Sequence, residues 1–519
     1  MKELDLLNEG VTRLKAGKIS SALRYFNTIL VNNPQHFDAL QLTGVCYLNS
    51  RRYHEAVEFF DAAIEQNRRS SVVYANRGIA LKNLGLFDKA VESYQHSINL
   101  QPRNPDALYN LGLLYAEMSD IQTAKSYYLK ALSIKGEYPE AHNNLANILK
   151  IEGKYQDALQ RYELAIEMSA GYIDAKFNYA ALLQMLGFLD RALDIYDDIL
   201  LAAPNHAQAI FNKSLLLLLN ADFAAGLPLY EARLDLRTEC LRNDMDSLRH
   251  DYRSENIEGR SILIRKEQGL GDLIHFCRYG PILANRGAIV TIEAPQSLSA
   301  LISTLDSRIN VATDPIPSEY DYQVFVMSLP IVCEHSLCEI PSQVPYLTVP
   351  VASKTRWEHK IPTSKSRKIG VVWSGSKKHE NDHNRSIQLA EFSSILLEGF
   401  EWHCLQIEFG TRDQSALNDL PNLIVHGDEL SDFADTGGLI ERLDLVITVD
   451  TSVAHLAGAL ARPFWLLLPK VPDFRWLLDR TDSPWYPTGK LYRQTQAGDW
   501  GSVLQRIALD LEDINNADI

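Results

Sequence analysis

A spacing of 34 residues recurs along the first half of the sequence, and it limits the possible folds more than any other feature. One column of equivalent positions holds small residues: Gly10, Gly44, Gly78, Gly112, Ala146, Ala180 and Ser214. A second small column consists of Ala22, Ala56, Ala90, Ala124, Ala158, Ala192 and Gly226, and an aromatic column consists of Phe26, Phe60, Tyr94, Tyr128, Tyr162, Tyr196 and Tyr230. Small residues let the two helices of a repeat approach closely, and the aromatic ring fills the space towards the next repeat. Seven repeats without an insertion or deletion therefore predict an all-α superhelix of stacked helix pairs with a long concave surface.

Prolines at one phase of the repeat mark a place where a helix must end. Pro34, Pro102 and Pro204 occupy this phase, and proline cannot continue a helix. The period and the three columns resemble those of tetratricopeptide repeats. This resemblance assigns residues 1–240 to seven such repeats and implies that they bind protein, without saying which protein.

An asparagine column runs through the same array at the sixth position of each repeat. Apart from Leu42, it reads Asn8, Asn76, Asn110, Asn144, Asn178 and Asn212, although asparagine is a mediocre helix former. In one interpretation each amide bonds to a neighbouring helix and fixes the stacking. In the other, the amides line the inner wall, where each offers a donor and an acceptor to the backbone of an extended peptide. A similar ladder lines the superhelix of protein O-GlcNAc transferases, and this resemblance implies acceptor binding by Asn76, Asn110, Asn144, Asn178 and Asn212.

From about residue 241, strand-like runs alternate with helical segments. These runs are residues 261–265, 288–293, 322–327, 369–373, 402–407, 423–426, 444–449 and 464–468. The alternation predicts α/β architecture with parallel sheets. We expect a connector over 241–260, a short Rossmann-like lobe over 261–350, an interlobe linker over 351–368 and a second Rossmann-like lobe over 369–519. Ligands of such sheets bind at the carboxyl ends of the strands.

Three segments follow predicted strands and therefore fall at that position. In the first, RKEQGLGDLIHF (265–276), glycines permit a tight turn before a helix that opens at Gly271. Asp272 is then expected in the first helical turn, at the cleft between the two lobes. An acid that merely offsets the helix dipole is the structural alternative for Asp272.

The second segment, WSGSKKHENDHNRS (373–386), is rich in basic residues. Residues 354–385 hold nine Lys and Arg against three acids. A Gly/Ser turn with basic side chains suits phosphate oxygens, which makes Ser374, Gly375, Lys377, Lys378 and Arg385 candidates for binding an anionic ligand. A solvated basic loop is the alternative.

The third segment, VDTSVAHLAGALARP (449–463), begins where a strand ends at Asp450. Thr451 and Ser452 are placed to cap a helix that extends to about Ala461. Free amides at a helix start, together with the helix dipole, form an anion site, so Val453 joins the candidates. Ordinary capping without a ligand is the alternative for this helix start, and a packed core position is the alternative for His455.

The first and third segments resemble those of a known family. GLGDLIHF (269–276) and DTSVAHLAGALARPFWLL (450–467) are similar to the two motif segments of bacterial ADP-heptose:lipopolysaccharide heptosyltransferases. This resemblance implies a GT-B fold, a catalytic role for Asp272, and donor binding by Gly271, Ser374, Gly375, Lys377, Lys378, Arg385, Asp450, Thr451, Ser452, Val453 and His455. The departures are the short first lobe, residues 261–350, the presence of Ser452 where the family usually has glycine, and the absence of the family's typical Lys-Arg-Trp-Pro run.

Together with the repeats, this domain resembles bacterial protein glycosyltransferases, including those that modify flagellin. The resemblance implies an inverting, metal-independent transfer of sugar from a nucleotide sugar to Ser or Thr of a protein held by the repeats. Two other functions stay open: a non-catalytic adaptor with a degenerate α/β half, and a sugar-nucleotide epimerase or hydrolase. The donor is open among ADP-heptose, UDP sugars and CMP-linked nonulosonic acids.

Composition narrows the class of protein further. A net charge of −15, from 51 basic and 66 acidic residues, argues against a general nucleic-acid binder. No apolar run approaches the ~20 residues of a membrane span. Six scattered cysteines without a CxxC pair are typical of reduced thiols, so we expect a cytoplasmic protein. No metal or resident cofactor is expected.

Two predictions concern the last part of the chain. Trp476, Trp485 and Tyr486 either pack the lobes together or stack on a sugar or base. The segment 499–512 is predicted to be helical, and in a GT-B fold this last helix crosses back to the first lobe.

Overall fold

The computed structural model describes residues 2–236, 256–267, 269–333, 340–377 and 381–516. The chain divides into two compact units, Met1–Leu182 and Leu183–Ile519. The division therefore falls inside the repeat array. The predicted connector, 241–260, lies mostly outside the described residues.

In the described residues up to Leu236, the chain forms fourteen α-helices. They are α1 (Glu3–Lys15), α2 (Ile19–Asn32), α3 (Phe37–Asn49), α4 (Tyr53–Gln66), α5 (Ser71–Asn83), α6 (Phe87–Leu100), α7 (Pro105–Glu117), α8 (Ile121–Ile134), α9 (Pro139–Ile151), α10 (Tyr155–Met168), α11 (Ile173–Leu186), α12 (Leu189–Ala202), α13 (Ala207–Leu219) and α14 (Phe223–Tyr230). A short 3-10 turn, Glu231–Leu234, follows α14. The predicted all-α repeat architecture is confirmed.

The glycine and aromatic columns form the contact between the two helices of a repeat. In the fourth repeat, a Cβ atom on Gly112 of α7 would lie 2.7 Å from Cε1 of Tyr128 in α8. Tyr128 itself is buried. A larger residue at position 112 would therefore displace the ring, which explains why this column holds only small residues.

The described part of the second unit contains two parallel sheets. Their strands are β1 (Ser261–Arg265), β2 (Ile289–Glu293), β3 (Asn310–Ala312), β4 (Tyr322–Phe325), β5 (Arg367–Val372), β6 (Phe400–Cys404), β7 (Leu423–Val425), β8 (Leu445–Val449), β9 (Phe464–Leu468) and β10 (Gly489–Arg493). The first sheet has the order β3-β2-β1-β4 and the second the order β10-β9-β8-β5-β6-β7. All pairings between these strands are parallel. The second sheet thus has the six-strand order of a doubly wound α/β fold, and the first has the order of its first four strands.

Helices cover these sheets. They are α15 (Leu270–Phe276), α16 (Gly280–Asn285), α17 (Gln296–Ile302), α18 (Leu329–Val332), α19 (Val351–Lys360), α20 (Asp382–Arg385), α21 (Leu389–Phe392), α22 (Thr411–Leu417), α23 (Phe433–Glu441), α24 (Ser452–Ala459) and α25 (Trp500–Asn516). The predicted interlobe linker, 351–368, thus contains α19 and the start of β5. Within the described residues, no helix has both the length and the apolar character that crossing a membrane requires.

All eight predicted strands are present, and β3 and β10 were not predicted. Each lies at the edge of its sheet. Neither carries a continuous buried run: β3 is partly exposed, and only Leu491 and Tyr492 are buried in β10. Edge strands need not be apolar on both faces, so the apolar pattern that revealed β8 and β9 is missing here.

Two hydrophobic cores hold the second unit together. The larger core joins both sheets to the seventh repeat, for example through Tyr230, Ile264 and Leu466. The other core joins the second sheet to α25 through residues such as Trp500 and Ile507. The expectation that the last helix crosses back to the first lobe is therefore wrong, because its apolar face is buried against its own sheet.

Candidate functional site

Two of the predicted segments meet at the carboxyl ends of neighbouring central strands in the second sheet. Residues 373–386 leave β5 and residues 449–463 leave β8. These strands are neighbours, with Val372 paired to Thr448 near their carboxyl ends. The strand order reverses between β5 and β8, and open α/β sheets bind ligands at such a switch point.

Helix α24 begins at this switch point with free backbone amides. Thr451 is its N-cap residue, but its side chain does not cap the helix. Its hydroxyl lies 3.1 Å from Oγ1 of Thr448 instead. Within the described residues, the amides of Ser452 and Val453 make no hydrogen bond. Together with the helix dipole, they form a potential anion site.

Arg385 connects the two segments. Its Nη1 donates to the carbonyl oxygen of Asp450 at 3.0 Å, and its side chain is 15% exposed. A Cβ atom on Gly375 would lie 2.5 Å from Nη2 of Arg385. The missing side chain at position 375 therefore creates the space that the guanidinium occupies beside the start of α24.

The other predicted residues of the basic segment lie at different places. Ser374 is fixed by Gln406, whose Oε1 accepts from the Ser374 amide at 3.1 Å. Lys377 is exposed, and its ammonium group approaches Gly410 in the loop after β6. Lys378 lies outside the described residues. The structure thus places Arg385 at the start of α24, and Lys377 on the β6 side of β5.

Three of the six basic residues that precede this segment pair with acids of the same lobe. Lys354 pairs with Glu441, Arg356 with Asp435, and Lys360 with Glu429. These cations belong to α19, which packs on α23 through the buried Trp357. For these three cations, the solvated-loop alternative is replaced by a packed helix.

The start of α15 lies directly against the start of α24. A Cβ atom on Gly271 would be 2.9 Å from Cδ2 of His455 and 3.4 Å from Cα of Ser452. Asp272 lies in the first turn of α15, as predicted. The structure therefore brings the predicted base and the predicted anion site together.

Asp272 is held in an ion pair that the sequence did not indicate. Its Oδ1 accepts from Nη2 of Arg475 at 2.5 Å, and Nη1 of Arg475 donates to Oδ1 of Asp473 at 2.6 Å. Burial raises the pKa of the Asp272 carboxyl, and the charge of Arg475 opposes this rise. Burial and then the charge of Asp473 also raise the pKa of Asp450, to about 6.

Beneath these groups, buried aromatic residues fill the space between the lobes. The hydroxyl of Tyr486 lies 2.8 Å from Nδ1 of His275 and 3.0 Å from Nδ1 of His455. Burial lowers the pKa of both histidines well below the usual value. His455 is 5% exposed, and Trp476, Trp485 and Tyr486 are also buried. The structure thus shows the packing alternative for these side chains.

The seventh repeat occupies the switch point of the first sheet. Arg233 donates from Nη2 to Oε1 of Glu267, after β1, at 2.9 Å, and to Oγ of Ser328, after β4, at 2.7 Å. Ser328 in turn donates to Glu231. These residues were not predicted to be important. They attach the last repeat to the α/β part immediately beside Asp272.

The asparagine column divides into two groups. The amide nitrogens of Asn144 and Asn212 donate to the hydroxyls of Tyr109 and Tyr196, each at 3.0 Å. That of Asn178 donates to Oδ1 of Asn143 at 3.0 Å. In the described part of the chain, the side chains of Asn76 and Asn110 make no hydrogen bond. The structural interpretation therefore fits Asn144, Asn178 and Asn212, and the hydrogen bonds of the described residues do not extend it to Asn76 and Asn110.

Family comparisons agree with the repeat geometry. Residues 7–71, 105–138, 127–160 and 149–210 match models described as "Tetratricopeptide repeat", and residues 84–119 match one described as "TPR repeat". The N-terminal region is a tetratricopeptide-repeat array. No curated protein matches the chain.

Several solved structures are similar to part of this chain. MamA is 24% identical, over 31% of this chain and 94% of its own, with a TM-score of 0.29. A thermophilic TPR protein of Thermus thermophilus is 24% identical, over 35% and 99%, with a TM-score of 0.31. A tetratricopeptide repeat protein from Parabacteroides merdae is 17% identical, over 47% and 97%, with a TM-score of 0.38.

Proposed function

We propose that this chain is a glycosyltransferase with a GT-B domain, which moves a sugar from a nucleotide sugar to a Ser or Thr hydroxyl of a protein bound by the repeats. The observation that supports this proposal best is the contact between Gly271 and Ser452. This close approach brings the first turn of α15, which carries Asp272, against the start of α24, whose amides are the proposed phosphate site. The resemblance to heptosyltransferases and flagellin-modifying enzymes supplies the reaction class.

In the proposed reaction the acceptor hydroxyl attacks the anomeric carbon of the donor. A bond forms between the acceptor oxygen and that carbon, the bond to the nucleotide phosphate breaks, and the configuration inverts. Asp272 takes the proton of the hydroxyl. The departing nucleotide carries the electron pair as an anion, which the amides of Ser452 and Val453 stabilise with Arg385. In this proposal those amides and the Arg385 guanidinium stabilise the charge that a metal ion stabilises in other transferases.

The repeats would supply the acceptor. Tetratricopeptide repeats are typical of protein–protein interaction, and Asn76 and Asn110 present unused amides. The seventh repeat is packed against the α/β part through Arg233 and Tyr230. An acceptor bound along the last repeat would therefore lie close to Asp272. Flagellin is the acceptor that the family resemblance suggests.

The divided asparagine column gives a prediction for acceptor binding. Replacing Asn76 and Asn110 together by alanine should weaken polypeptide binding about thirtyfold, because two backbone hydrogen bonds of about 1 kcal/mol each are lost. Thermal stability should not change. A peptide selected from a random-sequence library with the full chain serves as the probe, and calorimetry gives its Kd.

The matched control for this prediction is the pair Asn144→Ala and Asn178→Ala. Because these amides bond to Tyr109 and Asn143, the control should lower the melting temperature. If the Asn76 and Asn110 variant loses stability but keeps its affinity, the whole column is structural.

The donor site is tested by titrating the chain with nucleoside mono- and diphosphates. Binding at 100 times Kd should add about 2.7 kcal/mol to stability, which a thermal shift detects. Gly375→Ala should weaken the best nucleotide about tenfold, since its Cβ displaces the Arg385 guanidinium from the start of α24. Gly501→Ala is the control, because only Asp499 lies within 4 Å of its added Cβ, at 3.7 Å.

One observation favours a second function, the non-catalytic adaptor. The space between the starts of α15 and α24 is narrow, and His275, His455 and Tyr486 fill the region beneath it. An adaptor would use these residues only to hold the lobes together. It would bind none of the nucleotides in the titration, so the same experiment separates the two functions.

A further inference from the structure

Arg475 is the charged group closest to the proposed base, and its own position is fixed from several sides. It lies in a short 3-10 turn, Phe474–Trp476, where Oδ1 of Asp473 accepts from its backbone amide at 3.0 Å and from Nη1 at 2.6 Å. Its guanidinium lies 4.8 Å from the ring centroid of Phe474 and 5.3 Å from that of Phe276. The side chain is 8% exposed.

The bond from Arg475 uses only one oxygen of Asp272. Nη2 donates to Oδ1, while Oδ2 makes no hydrogen bond to any described residue. The Asp272 side chain is 23% exposed, so a ligand can reach it. A carboxylate held by one oxygen keeps its direction, and the second oxygen stays available to accept a proton.

We propose that Arg475 is a positioning residue for the transfer reaction: it holds Oδ1 of Asp272 so that Oδ2 faces the acceptor hydroxyl in its ionised form. This inference rests on the proposed function. The charge of Arg475 favours the ionised carboxylate, because it opposes the rise in the pKa of Asp272 that burial causes.

The other groups around Asp272 do not replace the stabilisation of its ionised form by the charge of Arg475. The titratable and charged groups that face it are Glu267, Arg233, Tyr230, His455, Asp473 and Arg475. Arg233 is already bonded to Glu267 and Glu231, and His455 is neutral in its buried site. Without Arg475, the acids Glu267 and Asp473 would therefore dominate, and each of them raises the pKa of Asp272.

The test compares wild type, Arg475→Met and Arg475→Lys in the full chain. Turnover of the nucleotide sugar that wild type accepts is measured from pH 5 to 9 at saturating donor.

Since the base must be ionised, a higher pKa of Asp272 moves the acidic limb of the kcat profile to higher pH. Arg475→Met should move this limb upward by about one to three pH units, so that activity returns as the pH rises. Arg475→Lys should restore the limb but not the full kcat, because a lysine lacks the forked geometry. Donor Kd should change less than twofold in both.

The control is Arg480→Met, which removes an arginine five residues further on. Arg480 pairs with Asp482 at the surface, and its side chain is 34% exposed. The Arg480→Met variant should have the same kcat–pH profile as wild type. If Arg475→Met lowers only the melting temperature, or lowers kcat equally at every pH, the positioning role is overturned. Wild type that turns over no donor overturns the proposed function itself, and the positioning role with it.

Discussion

Replacing Asp272 by asparagine is expected to reduce turnover by about 10²- to 10⁴-fold, the contribution of a general base. Asparagine has nearly the same shape and keeps an oxygen that can accept from Arg475, so the site should stay assembled. It cannot take a proton, and no increase in pH should restore activity. This behaviour distinguishes it from Arg475→Met, whose activity should return at higher pH.

Donor binding should survive this substitution, because the amides of Ser452 and Val453 and the Arg385 guanidinium are untouched. Initial rates of nucleotide release at saturating donor, with Kd measured by calorimetry, separate the two steps. The control is Asp435→Asn. Asp435 also lies in a first helical turn, that of α23, and pairs with Arg356 at 2.7 Å. Equal turnover by wild type and Asp272→Asn would remove Asp272 from the mechanism.

The parts of the fold that the sequence predicted correctly are those with a repeated or continuous pattern. The small and aromatic columns predict the helix pairs because the glycine and the ring lie against each other in the first four repeats, as Gly112 and Tyr128 do. Strands β8 and β9 are buried along their whole length, so their apolar runs are visible in the sequence. Strands β3 and β10 lie at sheet edges, and no such pattern marks them.

The candidate site was predictable in its backbone but not in its side-chain network. Gly375 and Ser452 each follow a predicted strand. Because the carboxyl ends of neighbouring parallel strands lie side by side, this position alone predicts that the two residues are close together. The partner of Asp272 is different, because Arg475 is 203 residues away. No periodicity links such positions, and only the folded chain brings them together.

One missed residue did leave a signal in the sequence. Arg233 is the last member of another column of equivalent positions, spaced 34 residues apart. The six earlier members have only small or apolar side chains: Ile29, Ala63, Ser97, Ala131, Ala165 and Ile199. All six are buried. An arginine at the last position of such a column indicates that the seventh repeat packs against a polar partner instead of another repeat. That partner is Glu267.

Replacing Arg233 by methionine is expected to destabilise the second unit by about 3–5 kcal/mol, the cost of leaving a buried charge unpaired. Arg233 and Glu267 have side chains that are 7% and 2% exposed, so solvent weakens their attraction little. The substitution leaves the carboxylate of Glu267 with the amide of Met327 as a remaining partner. Urea unfolding measures the loss. All seven tryptophans lie between Trp357 and Trp500, so their fluorescence reports on the second unit, to which Arg233 and Lys213 both belong.

Two further variants show whether this loss comes from the buried pair. Arg233→Met combined with Glu267→Met should recover much of the stability, since apolar residues of similar volume replace a buried ion pair at little cost. Lys213→Met removes a partly exposed pair with Asp197 and should cost no more than about 1 kcal/mol. If Arg233→Met costs no more than Lys213→Met, the seventh repeat is not anchored by its charge. The attachment of the seventh repeat would then depend on the apolar contacts of Tyr230.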